Sequence, residues 1–373
     1  MNSYFALLIL IIIGLLLGIC TFHTTIPLLY HFKFGQSIRK EGPKRHNLKS
    51  GTPTLGGIVI FLVSFFLWIT LLLFNHYINS QTIFNILQLL IPFLGFGLIG
   101  FIDDFLIIIK KNNVGLHPKT KLLLQILIAI ISTLLYQLMN RNNVLNFFGE
   151  SLYLSFFYLI WIVIGFVGFS NATNLTDGID GLLGGCSTIS FTGIYLIAIY
   201  EENYVVAYLS ISIIIALLAF LFFNLPKAKI FMGDTGSLTL GLSMAFLAIS
   251  YAMNNPLIKP FSEGAIVVSF ATLIVPLFDV VRVVRIRYFQ HKPLFMPDQN
   301  HIHHKFLRVG MSHYVAMILI LALALFFSFF NIVAVEYISN NIVIFIDIVL
   351  WIAFHLWLDR RELIRAKHGV ANN

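Results

Sequence analysis

Long apolar runs alternate with short polar connections along the whole chain. The runs lie at residues 4–30, 54–75, 84–109, 122–139, 151–170, 182–200, 204–224, 236–253, 264–281, 314–335 and 341–358. A run of about 20 apolar residues is long enough to cross a membrane as a helix. The runs are continuously apolar and do not alternate with a period of two, which argues against a transmembrane β-barrel. The pattern therefore predicts an all-α, polytopic integral membrane protein with about eleven transmembrane helices.

Composition agrees with this class. Of the 373 residues, 58% are hydrophobic and 11% are charged, which lies outside the usual range of soluble globular domains. The first run has neither a basic n-region nor a small-residue cleavage pattern, so we expect a retained span rather than a signal peptide. No low-complexity stretch or linker interrupts the chain, and we interpret residues 1–373 as a single transmembrane domain.

Basic residues are confined almost entirely to alternate connections. All but two of the 24 Lys and Arg residues lie at 31–53, 110–121, 225–235 and 282–313 or in the C-terminal tail, the exceptions being Arg141 and Lys259. Because positively charged connections stay in the cytoplasm, the N-terminus is predicted outside and the C-terminus inside. The net charge of +8 is then available to anionic lipid and substrate phosphates, and a nucleic-acid partner need not be invoked.

Five acids lie at the predicted cytoplasmic ends of apolar runs: Asp103, Asp104, Asp177, Asp180 and Asp234. Carboxylates are costly at such positions, so the set suggests a site that handles a metal and phosphates. The adjacent pair could simply mark a helix end. However, adjacent carboxylates repel each other unless a cation or a proton lies between them, and four lysines follow in the same connection. We therefore favour a cation and phosphate environment.

The segment Asn171–Gly181 is the one predicted cytoplasmic connection without Lys or Arg. If it opens a helix, Asn174, Asp177 and Asp180 follow at intervals of three and share a broad face. The spacing of a calcium-binding loop is absent, and an ordinary interhelical turn is the alternative.

The segment from Asn224 to Ser237 contains Gly-Asp-Thr-Gly-Ser ahead of an apolar helix. This pattern is typical of a capped helix N-terminus, whose N–H groups and dipole favour anions. Phe231 is placed either to stack on a flat base or to anchor the chain at the membrane interface.

Three histidines, His301, His303 and His304, fall within four residues and follow Arg282 and Arg285. No Cys or helical His-Glu pattern completes a zinc site, which leaves zinc as the weaker interpretation. A phosphate clamp in which Arg supplies bidentate geometry is the simpler one.

Together these blocks resemble the polyprenyl-phosphate N-acetylhexosamine-1-phosphate transferase superfamily. The resemblance covers nearly the whole chain, through TPTLGG (52–57), the acidic pair, NATNLTDGIDGL (171–182), FNLPKAKIFMGDTGS (223–237) and HIHHKF (301–306). It implies transfer of a phospho-sugar from a UDP-sugar to undecaprenyl or a similar polyprenyl phosphate, with release of UMP. It also implies a multi-pass protein of the inner, cytoplasmic membrane whose active site faces the cytoplasm and uses Mg²⁺, or Mn²⁺ in its place.

The chain carries sequence features of two branches of the superfamily. Residues 35–57 and 98–116 resemble the phospho-MurNAc-pentapeptide transferases of peptidoglycan synthesis, whereas residues 297–313 resemble the UDP-GlcNAc-using branch that primes teichoic acids, lipopolysaccharide O-antigens and capsules. The histidine segment is the superfamily's sugar-recognition element, and the predicted span count also fits the second branch. The sequence therefore favours a GlcNAc-1-phosphate donor, with the pentapeptide donor as the alternative.

The resemblance also implies roles for individual residues. The metal would be held chiefly by Asp234 with help from Asp177 or Asp180, while Asp103 or Asp104 would orient the acceptor or act as base, and the three histidines would act in catalysis. Substrate contacts are expected from Lys49, Thr52, Lys119, Lys121, Asn171, Asn174, Asn224, Phe231, Arg282 and Arg285. The expected partners are the UDP-sugar, the polyprenyl phosphate and the lipid bilayer, and a homodimer is left open.

A transporter or lipid flippase is the rival from another class. It would predict acids near mid-span and paired broken helices in repeated halves. Asp347 is the one acid well inside a predicted run, and the chain shows no internal repeat. The acids instead gather at the predicted inner boundary, which favours the enzyme.

Overall fold

A computed structural model describes most of the chain. The described residues are 3–32, 51–74, 80–110, 115–140, 144–147, 150–153, 157–200, 202–254, 271, 273–292 and 299–370. Lys49, most of the predicted connection 31–53 and the beginning of the predicted run 264–281 lie outside these residues.

Helices make up nearly all of the described chain. They are α1 (Ser3–His31), α2 (Gly56–Phe74), α3 (Ser80–Lys110), α4 (Pro118–Asn140), α5 (Phe157–Thr176), α6 (Leu182–Tyr200), α7 (Tyr204–Asn224), α8 (Gly233–Asn254), α9 (Ile274–Phe289), α10 (Ile302–Val309), α11 (His313–Ala334) and α12 (Asn340–Val370). A short antiparallel hairpin, β1 (Val144–Phe147) and β2 (Glu150–Tyr153), pairs Val144 with Tyr153 and Phe147 with Glu150.

The predicted class is confirmed. Eight of the described helices, α1, α3 to α7, α11 and α12, contain a stretch long and apolar enough to cross a membrane, and α2 contains the shorter apolar stretch Gly56–Thr70. The protein is therefore an all-α, multi-pass membrane protein, with one short hairpin among the described residues. The total of eleven spans and the orientation stay predictions.

Several helix bounds differ from the predicted runs, for two reasons. Helix α5 begins at Phe157 rather than 151, because the hairpin takes up the chain before it. Helix α9 continues to Phe289 and α12 to Val370, well past the apolar runs. Hydropathy locates the apolar part of a helix, and it does not register where the helix continues into water.

The described residues fall into two compact units. The first unit comprises Met1–Asn143 and Leu154–Leu247, and the second comprises Val144–Tyr153 and Ala248–Asn373. Helix α8 thus contributes its first part to one unit and its end to the other. The prediction of one domain over 1–373 stays a prediction.

Helix α7 is central to the first unit, where α1, α2 and α6 pack against it. Two glycines of α1 allow close packing: a Cβ atom at Gly14 would meet Ile215, and one at Gly18 would meet Ala219. Small residues spaced by four are a common means of bringing membrane helices together. Apolar side chains such as Leu123 and Ile164 point outward and are more than 60% exposed, as expected of a surface facing lipid.

The second unit contains the pair α11 and α12, and α10 packs against both helices. Inside this pair the amide Nδ2 of Asn331 donates to the Asp347 carboxylate at 3.1 Å. Both side chains are buried. The intramembrane acid noted in the sequence is therefore hydrogen-bonded to a neighbouring helix.

Candidate active site

A backbone ladder fixes the entry to α8 in the first unit. Phe231 N donates to Pro53 O at 2.8 Å, Gly56 N to Phe231 O at 2.9 Å, and Gly57 N to Met232 O at 2.8 Å. Gly233 then begins α8 with a φ of +76°, a conformation that favours glycine. The TPTLGG and FMGDTGS blocks are thus two sides of one local structure.

Asp104 caps the N-terminus of α8 from α3. Its carboxylate accepts the backbone N–H of Asp234 at 3.0 Å, the N–H of Thr235 at 3.0 Å and the Thr235 hydroxyl at 2.7 Å. The sequence correctly indicated a capped helix start here. The capping side chain comes from the acidic pair of α3, and it satisfies N–H groups that have no partner within their own helix.

Close approach between α3 and α8 requires a glycine. A Cβ atom at Gly100 would collide with the backbone of Asp234 and Thr235. A helix rises 1.5 Å per residue with 3.6 residues per turn, so Gly100 lies one turn before Asp104 on the same face. Because Gly100 has no side chain, α3 and α8 approach closely enough for the Asp104 carboxylate to accept the backbone N–H groups at the start of α8.

Asp103, Lys121 and Asp234 form a compact ionic cluster. The Lys121 ammonium hydrogen-bonds Asp234 Oδ2 and lies 3.8 Å from Asp103 Oδ1. Asp103 also accepts Leu116 N at 2.9 Å. Asn174 Nδ2 donates to the other oxygen of Asp234, Oδ1, at 2.8 Å. Helices α3, α4, α5 and α8 therefore each supply one side chain to the cluster.

The donor set of this cluster fits a hard divalent cation. Two carboxylates, Asp103 and Asp234, share one lysine ammonium, and both interact electrostatically with it. Mg²⁺ is commonly held by one or two carboxylates together with substrate phosphates, so these oxygens are suitable ligands. Among the residues that the structure describes, no group of three or more acidic, His or Cys side chains could hold a metal by itself.

The two acids of the Asn171–Gly181 segment lie in the turn after α5. The sequence hypothesis that this segment opens a helix is wrong, because Thr176 ends α5 and α6 begins at Leu182. Asp180 Oδ2 accepts Ala228 N at 3.2 Å, and Asp177 is exposed. Lys121 and Asn174 both donate hydrogen bonds to the Asp234 carboxylate. The role of Asp177 and Asp180 as metal ligands stays a prediction.

Asn224 connects this turn to the chain that enters α8. Its Oδ1 accepts Gly181 N at 2.9 Å, and its Nδ2 donates to Ile230 O at 2.8 Å. Asn171 similarly joins α5 to α4, because its Nδ2 donates to Gln125 Oε1 at 2.8 Å. Both amides, expected to contact substrate, thus make hydrogen bonds that hold the scaffold together.

Three further candidates, Thr52, Phe231 and Lys119, belong to the first unit. Thr52 precedes Pro53 in the backbone ladder and is partly exposed, as is Phe231. Lys119 lies exposed in the first turn of α4, two residues before Lys121. Their substrate contacts stay predictions.

The histidine segment of the second unit is organised by Asp279, an α9 residue that sequence reasoning missed. Its carboxylate contacts His301 Nδ1 at 2.9 Å, accepts Arg282 Nη2 at 2.6 Å and accepts Ile302 N at 3.1 Å. Arg282 also donates to Asn300 O. The signal available in the sequence was the spacing of three between Asp279 and Arg282, which places both on one helix face.

The other members of the histidine segment differ in environment. His303 is buried, and burial lowers the pKa of its imidazole to about 3, with the charge of His304 acting in the same direction. Its ring lies parallel to that of His301, with centroids 5.9 Å apart. Arg285 is exposed and lies over the Phe289 ring at 5.9 Å. Among the described residues, the three histidines are not part of a group of three or more His, Cys, Asp or Glu side chains placed to hold a metal ion.

The C-terminal part of α12 holds the histidine helix α10. Lys305 pairs with Asp359, Arg308 pairs with Glu362, and Arg365 donates to Val309 O. These contacts lie beyond the apolar part of α12. They give a structural reason for the length of that helix.

Carboxylates and a lysine gathered at the helix ends of a multi-pass membrane protein are suited to binding a cation or a phosphate group. The family model described as glycosyl transferase family 4 matches residues 86–252. The chain belongs to this family, within the polyprenyl-phosphate hexosamine-1-phosphate transferase superfamily.

Three curated relatives that are similar to this chain are each named phospho-N-acetylmuramoyl-pentapeptide-transferase. A protein of Geobacillus sp. (strain WCH70) is 36% identical over 324 residues, covering 86% of this chain and 95% of the relative. One from Staphylococcus saprophyticus is 42% identical over 309 residues, covering 82% and 91%. One from Bacillus subtilis is 36% identical over 306 residues, covering 82% and 90%. The protein is therefore a membrane-embedded transferase of this family.

Proposed function

We propose that the protein transfers phospho-N-acetylmuramoyl-pentapeptide from a UDP-linked donor to a polyprenyl phosphate and releases UMP, at the cytoplasmic face of the inner membrane. The observation that supports the reaction class is the Asp103, Lys121 and Asp234 cluster at helix ends. The donor follows the shared name of relatives that align over most of their length. The GlcNAc donor favoured by the sequence is not specifically supported by these relatives, so we reverse that preference.

The acceptor phosphate needs little activation in this reaction. The second pKa of a phosphate monoester lies near 6, so the acceptor is largely dianionic at neutral pH. Its oxygen attacks the donor phosphorus next to the sugar, a new pyrophosphate bond forms, and the bond to UMP breaks. A dedicated general base is therefore not required, and Asp103 is best suited to orient reactants.

Mg²⁺, or Mn²⁺ in its place, would be held by carboxylate oxygens of Asp234 and Asp103, and when bound it would neutralise charge on the donor pyrophosphate. Lys121 contributes a second positive charge at the same place, where it holds both carboxylates. Asn174 fixes the orientation of the Asp234 carboxylate through a 2.8 Å hydrogen bond. Asp104 fixes the backbone of the same residue.

A GlcNAc-1-phosphate donor is the second candidate. The segment 297–313 resembles the GlcNAc-using branch, and its described part includes His301 held by Asp279 and Arg282 adjoining Asn300. This is a specific arrangement in the element expected to recognise the sugar. The two donors, UDP-GlcNAc and UDP-MurNAc-pentapeptide, are therefore to be compared directly on the same protein.

Purified protein in detergent tests the proposed reaction. With undecaprenyl phosphate and UDP-MurNAc-pentapeptide, we expect release of UMP in equal amount to a new lipid-linked pyrophosphate. The variant Asp234→Asn should keep its fold and lose this turnover. Near-normal UMP release from that variant would sink the assignment of Asp234.

A further inference from the structure

One buried carboxylate organises the start of the histidine helix. Asp279 is 5% exposed, and its two oxygens contact the His301 ring, the Arg282 guanidinium and the backbone N–H of Ile302. His301 is the N-cap residue of α10 and makes no side-chain cap of its own. Asp279 therefore supplies the cap from α9 and holds the imidazole at the same time.

The contact between Asp279 and His301 determines which ring nitrogen carries the proton and which one is left without a hydrogen bond among the described residues. An ionised carboxylate only accepts hydrogen bonds, so Nδ1 of His301 carries the proton at 2.9 Å from Oδ2. The other nitrogen, Nε2, is buried and has no partner among the described residues. His301 itself is 4% exposed. The ring is thus fixed at one edge, and its other edge remains to contact a ligand.

A buried imidazole nitrogen without a partner is unfavourable, and it calls for an explanation such as a catalytic role or a bound ligand. The geometry points to Asp279 as a positioning residue for the transferase reaction: it holds His301 with the proton on Nδ1, which leaves Nε2 as a hydrogen-bond acceptor for the donor substrate. The identity of that donor rests on the proposed function. The protonation and orientation of the ring do not.

A merely structural role for Asp279 is the competing explanation. In that case the carboxylate would serve the Ile302 N–H and Arg282, and the His301 contact would be incidental. The two explanations differ in one respect. If Asp279 acts through His301, replacing Asp279 should have little additional effect once His301 is gone, because residues that act as a unit are not additive.

Kinetics of single and double variants test this difference. In Asp279→Asn the amide donates a hydrogen bond to Nδ1, so the single N–H proton of the neutral His301 ring moves to Nε2. We therefore expect kcat to fall about 100-fold with KM little changed. Asp279→Glu should recover part of the loss. The double variant with His301→Gln should be no slower than His301→Gln alone. Losses that multiply in the double variant would overturn the proposal.

Lys119→Gln provides a matched control for this cycle. Lys119 lies in the first unit and Asp279 in the second. The effects of Asp279→Asn and Lys119→Gln should therefore multiply. Melting curves in detergent show for each variant whether the fold is retained.

A second measurement needs neither activity nor a folded Asp279 variant. Wild-type protein labelled with ¹⁵N-histidine can report the tautomer of each ring by NMR, and His301→Gln identifies the signal of His301. We expect a neutral His301 to carry its proton on Nδ1. A proton on Nε2 would overturn the proposal even if the transferase activity is confirmed, and the expected tautomer would stand even if another donor is used.

Discussion

The carboxylate of Asp104 accepts the backbone N–H of Asp234 at 3.0 Å, so one acid of the α3 pair positions the backbone of the acid that is proposed to bind metal. Its neighbour Asp103 instead faces Lys121. Adjacent residues of a helix point about 100° apart, which explains how two neighbouring acids come to have different partners.

This division of roles predicts different effects for two matched substitutions. Asp104→Asn should lower the free energy of unfolding by about 1–2 kcal/mol, because the amide replaces an acceptor of an N-terminal cap with a donor. Asp103→Asn should leave stability unchanged or higher, since it removes an acid beside Asp234, but should lower turnover. Melting temperatures and UMP release in detergent measure both. Equal stability losses would contradict the division.

The close contact of α3 and α8 gives a steric prediction. Gly100→Ala should cost about 1–3 kcal/mol of stability through overpacking against Asp234 and Thr235, and should also lower activity. Gly168→Ala is the matched control, because a Cβ atom there meets nothing within 4 Å. That variant should be neutral or stabilised by up to about 1 kcal/mol through helix propensity. Similar melting temperatures for both variants would show that the contact is not tight.

The position of Lys121 predicts competition between its ammonium and a divalent cation. Lys121→Gln leaves Asp103 and Asp234 without their shared partner, at a cost of about 3 kcal/mol in the absence of metal. Added Mg²⁺ should then raise the melting temperature of the variant more than that of the wild type. Titration of Mg²⁺ against melting temperature measures this, with Na⁺ at matched ionic strength as control. An equal rise in both proteins would contradict the competition.

Burial of His303 predicts a dependence of stability on pH. Burial lowers the pKa of its imidazole from the ordinary value of 6.5 to about 3, so the unfolded chain binds more protons than the folded chain between these values. The stabilisation is fully present above about pH 6.5 and is lost as the pH falls toward 3. From pH 7 to pH 5 the wild type should lose about 2 kcal/mol more than His303→Gln does. Parallel stability profiles would contradict the burial of a neutral ring.

Sequence pattern was sufficient for much of the fold. The predicted runs 182–200 and 204–224 coincide with α6 and α7, since both ends of these helices fall where hydropathy changes. The hairpin before α5 was missed because four-residue strands give too short a signal beside an apolar run. The extensions of α9 and α12 were missed because hydropathy follows the apolar part alone.

The candidate site was predictable only in part. Motif blocks indicated Asp103, Asn174 and Asp234, and the basic connection 110–121 indicated Lys121. The fold brings these four side chains together. The capping role of Asp104 and the scaffold role of Asn224 depend on backbone N–H groups far away in sequence, and no local pattern reveals such partners. Asp279 was missed because an acid near an arginine is ordinary in a sequence, and its meaning lies in the contact with His301.

The most direct test of the central claim compares donors on one preparation. Purified wild-type protein should be incubated with undecaprenyl phosphate and either UDP-MurNAc-pentapeptide or UDP-GlcNAc, and the lipid products identified by mass spectrometry. The account predicts a lipid-linked pyrophosphate carrying MurNAc-pentapeptide, absent from the Asp234→Asn control. A product formed only from UDP-GlcNAc would contradict the proposed donor, and no lipid product from either donor would contradict the proposed reaction.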